Sequence, residues 1–464
     1  MQHIHFIGIC GTAMGSVAAA MHAKGFKVTG SDENVYPPMS TFLEQQGIEI
    51  FPGYKASNIP ESAELIVVGN AISRGNEEAE AALERKLLYV SLPEVLKEHF
   101  LRGRRNLVVS GTHGKTTTSS ILAWLLKSSG VDPSYMIGGI PRNLGQGAAF
   151  TDSDFVVLEG DEYDTAFFDK RSKFLHYLPE VVIINNIEFD HADIYDSLDE
   201  IKLTFKRLLN IVPRNGVALV NGDCANSMDV SQGAPAPVKT VGLGEHCDLQ
   251  VTNIDYGSEQ TSFELDGETY VLPMAGEFNV RNAAMAISAA RFSGFTADQI
   301  REGLLSFEGI ARRQEVRGVA AGVRVIDDFA HHPTAIGLAI DSLRQQYPDS
   351  RLWVIFEPRS NTTRRNIFQD ELAAALSKAD LAVVPAVPDP EKVAEQDRLD
   401  PEKLVSDVKA SGTSCWYCET VEDIVDQVAA ECSEGDTVAV LSNGGFGGIH
   451  QKLLDKLGSL THKP

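Results

Sequence analysis

The chain has 464 residues, 43% of them hydrophobic and 23% charged, a balance that excludes a disordered protein. At about 150 residues per domain it has room for roughly three. With 41 Lys and Arg against 64 Asp and Glu the formal charge is −23, which argues against broad nucleic-acid binding or docking on anionic lipid but not against a polyanion held in a local pocket.

The first block runs over residues 1–104. Residues 3–9 read as a short apolar strand, entered directly from MQH with no basic leader. An Ala-rich helix follows over 12–24, stopped by Gly25. Further strands are expected at 26–30, 48–51 and 64–69, and the polar stretch 101–105 reads as a flexible linker. The loop Gly8-Ile-Cys-Gly-Thr-Ala-Met-Gly15 lies between strand and helix, and Asp32 closes the next strand. Cys10 and Ala13 occupy two glycine positions of the dinucleotide fingerprint, so a nucleotide diphosphate at the helix N-terminus fits better than a nicotinamide.

The second block, 105–313, opens with a strand at 106–109. More follow at 154–158, 181–185 and 217–220, then short β-runs over 238–272 and a helix over 279–291. Its sharpest feature is Val108-Val-Ser-Gly-Thr-His-Gly-Lys-Thr-Thr-Thr118, a strand running into a glycine-rich turn and a Lys-Thr that opens a helix. Glycines let backbone N–H groups face a phosphate, Lys115 reaches the β- and γ-phosphates, and the Thr116 hydroxyl suits Mg²⁺. Val109 stands where the full P-loop pattern has its first glycine. Glu159 follows an apolar strand, and Asp190 and His191 follow another. Acidic residues in such places are commonly solvated caps, but a phosphate loop in the same block needs a metal partner. Imidazole suits softer metals, so chemistry alone leaves His191 open.

The third block, 314–464, has strands at 323–327, 351–356, 381–385 and 437–441, with helices at 333–346, 365–378 and 421–431. It carries Val325-Ile-Asp-Asp-Phe-Ala-His-His-Pro333 and Phe356-Glu-Pro-Arg-Ser-Asn-Thr-Thr-Arg-Arg365, whose Arg residues could clamp a carboxylate or phosphate. Cys415 and Cys418 form a C-x-x-C without a second pair or nearby His at finger spacing, and read as structural. Six scattered Cys make no disulfide framework. No run reaches about 18 apolar residues, so no membrane span is expected and the expected location is cytoplasmic. The expected fold is α/β: a Rossmann-like N-terminal domain, a central P-loop ATPase-like domain with a mostly parallel sheet, and a Rossmann-like C-terminal domain.

Gly111-Thr-His-Gly-Lys-Thr-Thr117, Asn186-Ile-Glu-Phe-Asp-His191, Phe278-Asn-Val-Arg-Asn-Ala283, Phe307-Glu-Gly-Ile-Ala-Arg-Arg313 and Asp327-Asp-Phe-Ala-His-His-Pro333 occur in the order and spacing of the Mur ligases. The whole chain resembles these ATP-dependent amide-forming enzymes of peptidoglycan synthesis. Glu159-Gly-Asp-Glu-Tyr-Asp164 and Leu441-Ser-Asn-Gly-Gly445 resemble the branch that returns the tripeptide L-Ala-γ-D-Glu-meso-diaminopimelate to UDP-N-acetylmuramate more than the branch that adds single L-Ala. A module that only binds ATP is the remaining alternative.

The resemblance implies ATP as co-substrate and Mg²⁺, two ions, as cofactor. Gly111, Thr112, His113, Gly114, Lys115, Thr116 and Thr117 would cradle ATP, Asn282 its adenine and Asp328 its ribose. Thr116, Glu159 and His191 would hold metal, and Lys115, His191, Arg313 and His331 would serve the chemistry. Gly8, Gly11, Thr12, Met14, Gly15, Asp32 and Ser73 would bind UDP-N-acetylmuramate, and Arg359, Ser360 and Asn361 the peptide. Many relatives have His where this chain has Phe278, and Lys202 is the nearest candidate for the modified lysine some relatives carry. The implied partners are these small molecules, with neither nucleic acid nor membrane, in a monomer or weak homo-oligomer.

Overall fold

The computed structural model describes residues 2–460; residue 1 and residues 461–464 of the expected first and third blocks lie outside the described residues. Strands β1 (His3–Ile7), β2 (Lys27–Asp32), β3 (Glu49–Pro52), β4 (Leu65–Val68) and β5 (Tyr89–Ser91) form a parallel sheet in the order β3-β2-β1-β4-β5. β1 and β4 are buried throughout because both faces of a parallel sheet are covered; β4 is accordingly an unbroken apolar run, while β1 carries His3 and His5, which are paired with Ser62, Thr29 and Glu78. Strand order reverses at β1, so the loop after β1 opens into a crevice at the carboxyl ends of the strands. The helix Thr12–Ala23 ends at Gly25, whose φ of +92° needs no Cβ.

The stretch read as a flexible linker is anchored instead. Phe100 and Leu101 are buried, and the Phe100 ring packs 4.5 Å from Phe150 of the central block. One continuous apolar cluster therefore joins Ile4, Phe6 and Val17 of the first sheet to Val108, Val156 and Val182 of the second.

The central sheet contains β6 (Arg105–Ser110), β7 (Ser134–Met136), β8 (Ala148–Ala149), β9 (Phe155–Gly160), β12 (Val181–Ile184), β13 (Val217–Asn221), β14 (Val238–Gly242), β15 (Leu249–Tyr256), β16 (Thr261–Leu265) and β17 (Glu268–Leu272), while β10 (Asp164–Ala166) and β11 (Asp169–Ser172) pair as a separate hairpin. Its order is β17-β16-β15-β14-β13-β12-β6-β9-β7-β8, parallel from β15 through β7. Helices Lys115–Ser128, Glu277–Phe292 and Ala297–Leu305 cover one face. Residues 155–160, 181–184 and 105–110 thus end side by side, which brings Glu159, the 185–191 segment and the 111–117 loop together.

The third sheet runs β18 (Glu315–Ala320), β19 (Val323–Asp328), β23 (Thr437–Leu441), β20 (Leu352–Phe356), β21 (Leu381–Pro385), β22 (Ser414–Cys418), with β18 antiparallel to the otherwise parallel rest. Cys415 and Cys418 are three apart on β22, so their side chains enter the two separate cores on opposite faces. Burial raises both thiols, to about 12 and about 11, as suits packing residues. The helix expected over 365–378 is a short turn at Asn366–Phe368 followed by a helix at Gln369–Leu376. Between the second and third sheets, Arg312 and Gln314 take positive φ of +61° and +49° on either side of Arg313. Among the described residues no helix is long and apolar enough to cross a membrane.

Candidate active site

The first-domain candidates gather at the carboxyl ends of β1, β2 and β4. Gly8 holds φ +87° and donates its N–H to Ser31 O at 2.8 Å; the Cys10 N–H donates to Asp32 Oδ2 at 2.9 Å. Gly11 and Thr12 are exposed at the crest, while Met14 and Gly15 are buried beneath and shape the loop. Ile72 lies beside Gly8, with exposed Ser73 next to it. Under this loop the fully buried Glu78 accepts from Ser31 Oγ, from Asn58 Nδ2 at 2.8 Å and from Lys55 N at 3.1 Å, a network that sequence reasoning missed.

The central candidates converge in a cleft of about 1030 Å³ shared with the third domain and separate from the first-domain loop. Gly111 and Gly114 hold φ of +126° and +80°; a Cβ on Gly111 would stand 2.9 Å from Asn186 O, and one on Gly114 would strike the Asn282 amide. Backbone this close to its neighbours admits only glycine. Lys115 Nζ donates to Gly111 O at 2.7 Å and to Glu162 Oε2 at 2.8 Å, and the other oxygen of Glu162 lies 3.1 Å from His191 Nε2. Glu162 therefore joins the phosphate-loop lysine to the expected metal ligand His191, a role the sequence did not single out. Burial would lower Lys115 and His191, but Glu162, with Asp161 beside the lysine and Asp190 beside the histidine, outweighs it and leaves both above their ordinary values.

Thr116 Oγ1 donates to Glu159 Oε1 at 3.0 Å, and the Gly138 N–H to Glu159 Oε2 at 2.7 Å. Burial nevertheless pushes the Glu159 carboxyl up, the mark of a carboxylate short of positive charge. Arg313 Nη2 donates to Thr116 Oγ1 at 3.3 Å, makes no ion pair among the described residues, and is lowered by burial. A half-buried carboxylate and a half-buried guanidinium sharing one hydroxyl leave places for a cation and an anion. The carboxylates of Asp161 and Glu162 and the His191 ring offer ligand atoms within 4.8 Å of one another. These mostly oxygen donors fit Mg²⁺.

Asn282 Oδ1 accepts from Thr118 Oγ1 at 3.3 Å, and its neighbour Asn279 is buried with Oδ1 lacking a hydrogen-bond partner among the described residues. Phe278 lines the same end of the cleft. Asp328 accepts from Gln314 N at 2.8 Å and Ala330 N at 2.7 Å, and burial raises it. His331 Nδ1 lies 3.1 Å from Phe329 O, and burial lowers it. Lys202, on the helix Leu198–Asn210, pairs with Asp229 at 3.4 Å and does not line the cleft.

At the far end lie Arg359, Ser360 and Asn361. Arg359 makes no ion pair among the described residues. Ser360 Oγ bonds Thr363 Oγ1 at 2.7 Å, and Asn361 Nδ2 donates to Asp193 Oδ2 at 2.9 Å, across to the central domain. Arg364, buried, is held by Pro388 O and Asp389 at 3.0 Å each.

Residues 3–104 match the Mur ligase family catalytic domain, 109–290 the Mur ligase middle domain, and 312–444 the Mur ligase glutamate ligase domain. An Escherichia coli protein named UDP-N-acetylmuramate--L-alanyl-gamma-D-glutamyl-meso-2,6-diaminoheptandioate ligase is 44% identical over 461 residues, covering 98% of each chain. This chain belongs to the Mur ligase family. As a Mur ligase it forms an amide bond at the expense of ATP and needs Mg²⁺. The crystal structure of a murein peptide ligase from Psychrobacter arcticus superposes with a TM-score of 0.72 at 36% identity, covering 99% of each chain. A UDP-N-acetylmuramate--L-alanine ligase of Psychrobacter sp. is 35% identical over 394 residues, covering 83% of this chain and 80% of that protein. The Mur ligase resemblance read from the motifs and the three α/β units thus holds over the whole chain.

Proposed function

We propose that this Mur ligase joins L-alanyl-γ-D-glutamyl-meso-diaminopimelate to the carboxylate of UDP-N-acetylmuramate, with units 1–104, 105–313 and 314–464 serving the sugar nucleotide, ATP and peptide. The carrying observation is Arg359, a guanidinium in the cleft on the loop after β20 that makes no ion pair among the described residues. L-Ala has one carboxylate, beside the attacking amine. A tripeptide has others far from it, and an Arg fork is the group that anchors one bidentately. The fuller and higher identity to the diaminoheptandioate ligase than to the alanine ligase supports the same acceptor.

In this reaction a muramate carboxylate oxygen attacks the γ-phosphorus of ATP and ADP departs. The L-Ala amine then attacks the acyl carbon, loses a proton, and inorganic phosphate leaves. Lys115 and Arg313 hold the phosphates and stabilise charge on the transferring group, with the backbone of Gly111, Thr112, His113, Gly114 and Thr117 around them. Asn282 faces the adenine, Asp328 the ribose, and His331 the closing edge of the third domain. Thr116 and Glu159 would hold one Mg²⁺ and His191 a second, whose charge offsets that of the phosphates. Gly8, Gly11, Thr12, Met14, Gly15, Asp32 and Ser73 build the sugar-nucleotide site, and Ser360 and Asn361 frame Arg359. ATP and a UDP-sugar place the work in the cytoplasm, by a monomer or weak homo-oligomer. The test is phosphate release with ATP, Mg²⁺ and UDP-N-acetylmuramate against L-Ala, dipeptide and tripeptide. Turnover with tripeptide alone is expected; equal or better turnover with L-Ala would overturn the assignment.

A further inference from the structure

Near the phosphate loop the third domain docks on one short strip of the central domain, residues 188–193. Thr334 Oγ1 donates to Glu188 Oε2 at 2.7 Å, His332 Nε2 to Phe189 O at 3.2 Å, and Thr362 Oγ1 to Asp190 Oδ1 at 2.8 Å. Glu188 differs from the rest of the strip in what it holds on its other side. Its N–H donates to Thr112 Oγ1 at 2.8 Å, and its Oε2 lies 3.1 Å from His113 Nε2. Both partners belong to the phosphate loop, whose His113 N–H donates to Asn186 Oδ1 at 2.7 Å on the same segment. One carboxylate oxygen thus meets the phosphate loop and the third domain together.

The hydrogen-bond pattern fixes the histidines around it. Thr334 N donates to His332 Nδ1 at 3.3 Å, so that nitrogen is an acceptor and the proton sits on Nε2, facing Phe189 O. Burial and the neighbouring His113 ring, 4.6 Å away, hold His332 down at about 4, so it docks as the neutral base. The donors to Glu188 are then His113 Nε2–H and the Thr334 hydroxyl, one from each domain. Glu188 touches neither Lys115 nor His191.

We propose that Glu188 is a positioning residue that ties closure of the third domain to occupancy of the phosphate loop. When phosphates fill the loop, the backbone around His113 is set, the His113 ring is presented to Glu188, and Glu188 is aligned for Thr334. Closure then brings the loop bearing Arg359 over the acyl acceptor. This presupposes the ligase chemistry only for its kinetic arm.

The test adds Mg²⁺ and a non-hydrolysable ATP analogue and follows the radius of gyration by small-angle X-ray scattering. Wild type is expected to compact, Glu188→Gln, which keeps an acceptor oxygen, to compact as well, and Glu188→Ala to remain extended. In turnover Glu188→Ala should lose about tenfold or more in kcat, the scale of one hydrogen bond to a charged group, with KM for ATP within about twofold and substantial recovery in Glu188→Gln. If Glu188→Ala does not fold, Thr334→Val, which removes one hydroxyl at constant shape, takes its place. Compaction of the Ala or Val variant like wild type, or equal loss in Ala and Gln, would overturn the role of Glu188. The scattering arm needs no acceptor, so a wrong peptide would leave its result unchanged.

Discussion

Gly444 lies directly against the guanidinium of Arg359, so that a Cβ at 444 would occupy the space of Nη1. The Gly444 backbone is not free to yield, since its carbonyl accepts from Arg312 at 2.6 Å and its N–H donates to Ser442 Oγ at 2.9 Å. A Gly444→Ala side chain would therefore displace Arg359. Gly444→Ala and Arg359→Ala should each raise KM for the tripeptide by roughly tenfold or more and leave that for ATP unchanged, the signature of lost substrate binding. Because both act on one contact, the double variant should be little worse than either single. An effect confined to ATP would remove Arg359 from the peptide end.

Lys115→Ala should lower turnover by about 10²–10³, the usual loss for a charge-stabilising group. The first-domain loop lies outside the cleft, so calorimetry should find UDP-N-acetylmuramate binding intact. A variant that no longer binds the sugar nucleotide would contradict this division of work.

Glu159 is half-buried and raised by desolvation, held by Thr116 and Gly138 but by no cationic side chain within ion-pair reach among the described residues. Glu159→Gln should shift the Mg²⁺ dependence of phosphate release to higher concentration. A curve that overlays wild type would exclude Glu159 from the metal site.

Away from the cleft, Asp436 accepts from Arg351 Nη2 at 2.7 Å and Trp353 Nε1 at 3.0 Å. Burial opposes ionisation, but these partners and the Ser433 N–H outweigh it and hold the carboxyl below its ordinary value. A depressed carboxyl stabilises the fold fully above its unfolded value, about 3.9, and loses that contribution as pH falls toward the folded value. Denaturant titrations should find Asp436→Asn less stable by about 1–3 kcal/mol near neutrality, with the gap narrowing below about pH 4. A gap independent of pH between 3 and 7 would show that the charge contributes nothing.

Elements whose signals are local were legible. Pro333–Gln346 and Val421–Glu431 begin at a proline and at a Thr420–Asp423 capping box, and the structure places both as read. Strand β18 went unread: Glu-Val-Arg-Gly-Val-Ala is half-exposed at a sheet edge, where apolar alternation fades. Ahead of the turn at Asn366–Phe368, Arg365 bridges to Arg398, a tertiary pairing that no helical period reveals. Glu162 and Glu188 stood inside recognised motifs, yet their meaning lies in partners far away in sequence, Lys115 for one and Thr334 for the other. Motifs announce a site's loops; which carboxylate bridges which cation is decided by the strand order that sets those loops side by side.

The apolar cluster that crosses from the first sheet into the second has a thermodynamic consequence. The first two sequence blocks should melt together as one calorimetric unit and the third as another, because the Ile4–Val182 cluster cannot lose one half without exposing the other. The third sheet keeps both of its own cores and meets the central domain through the backbone at 312–314 and the contacts along the 188–193 strip rather than through a shared core. It is the part that can come apart alone, and a protease that finds the chain open should cut first at that joint.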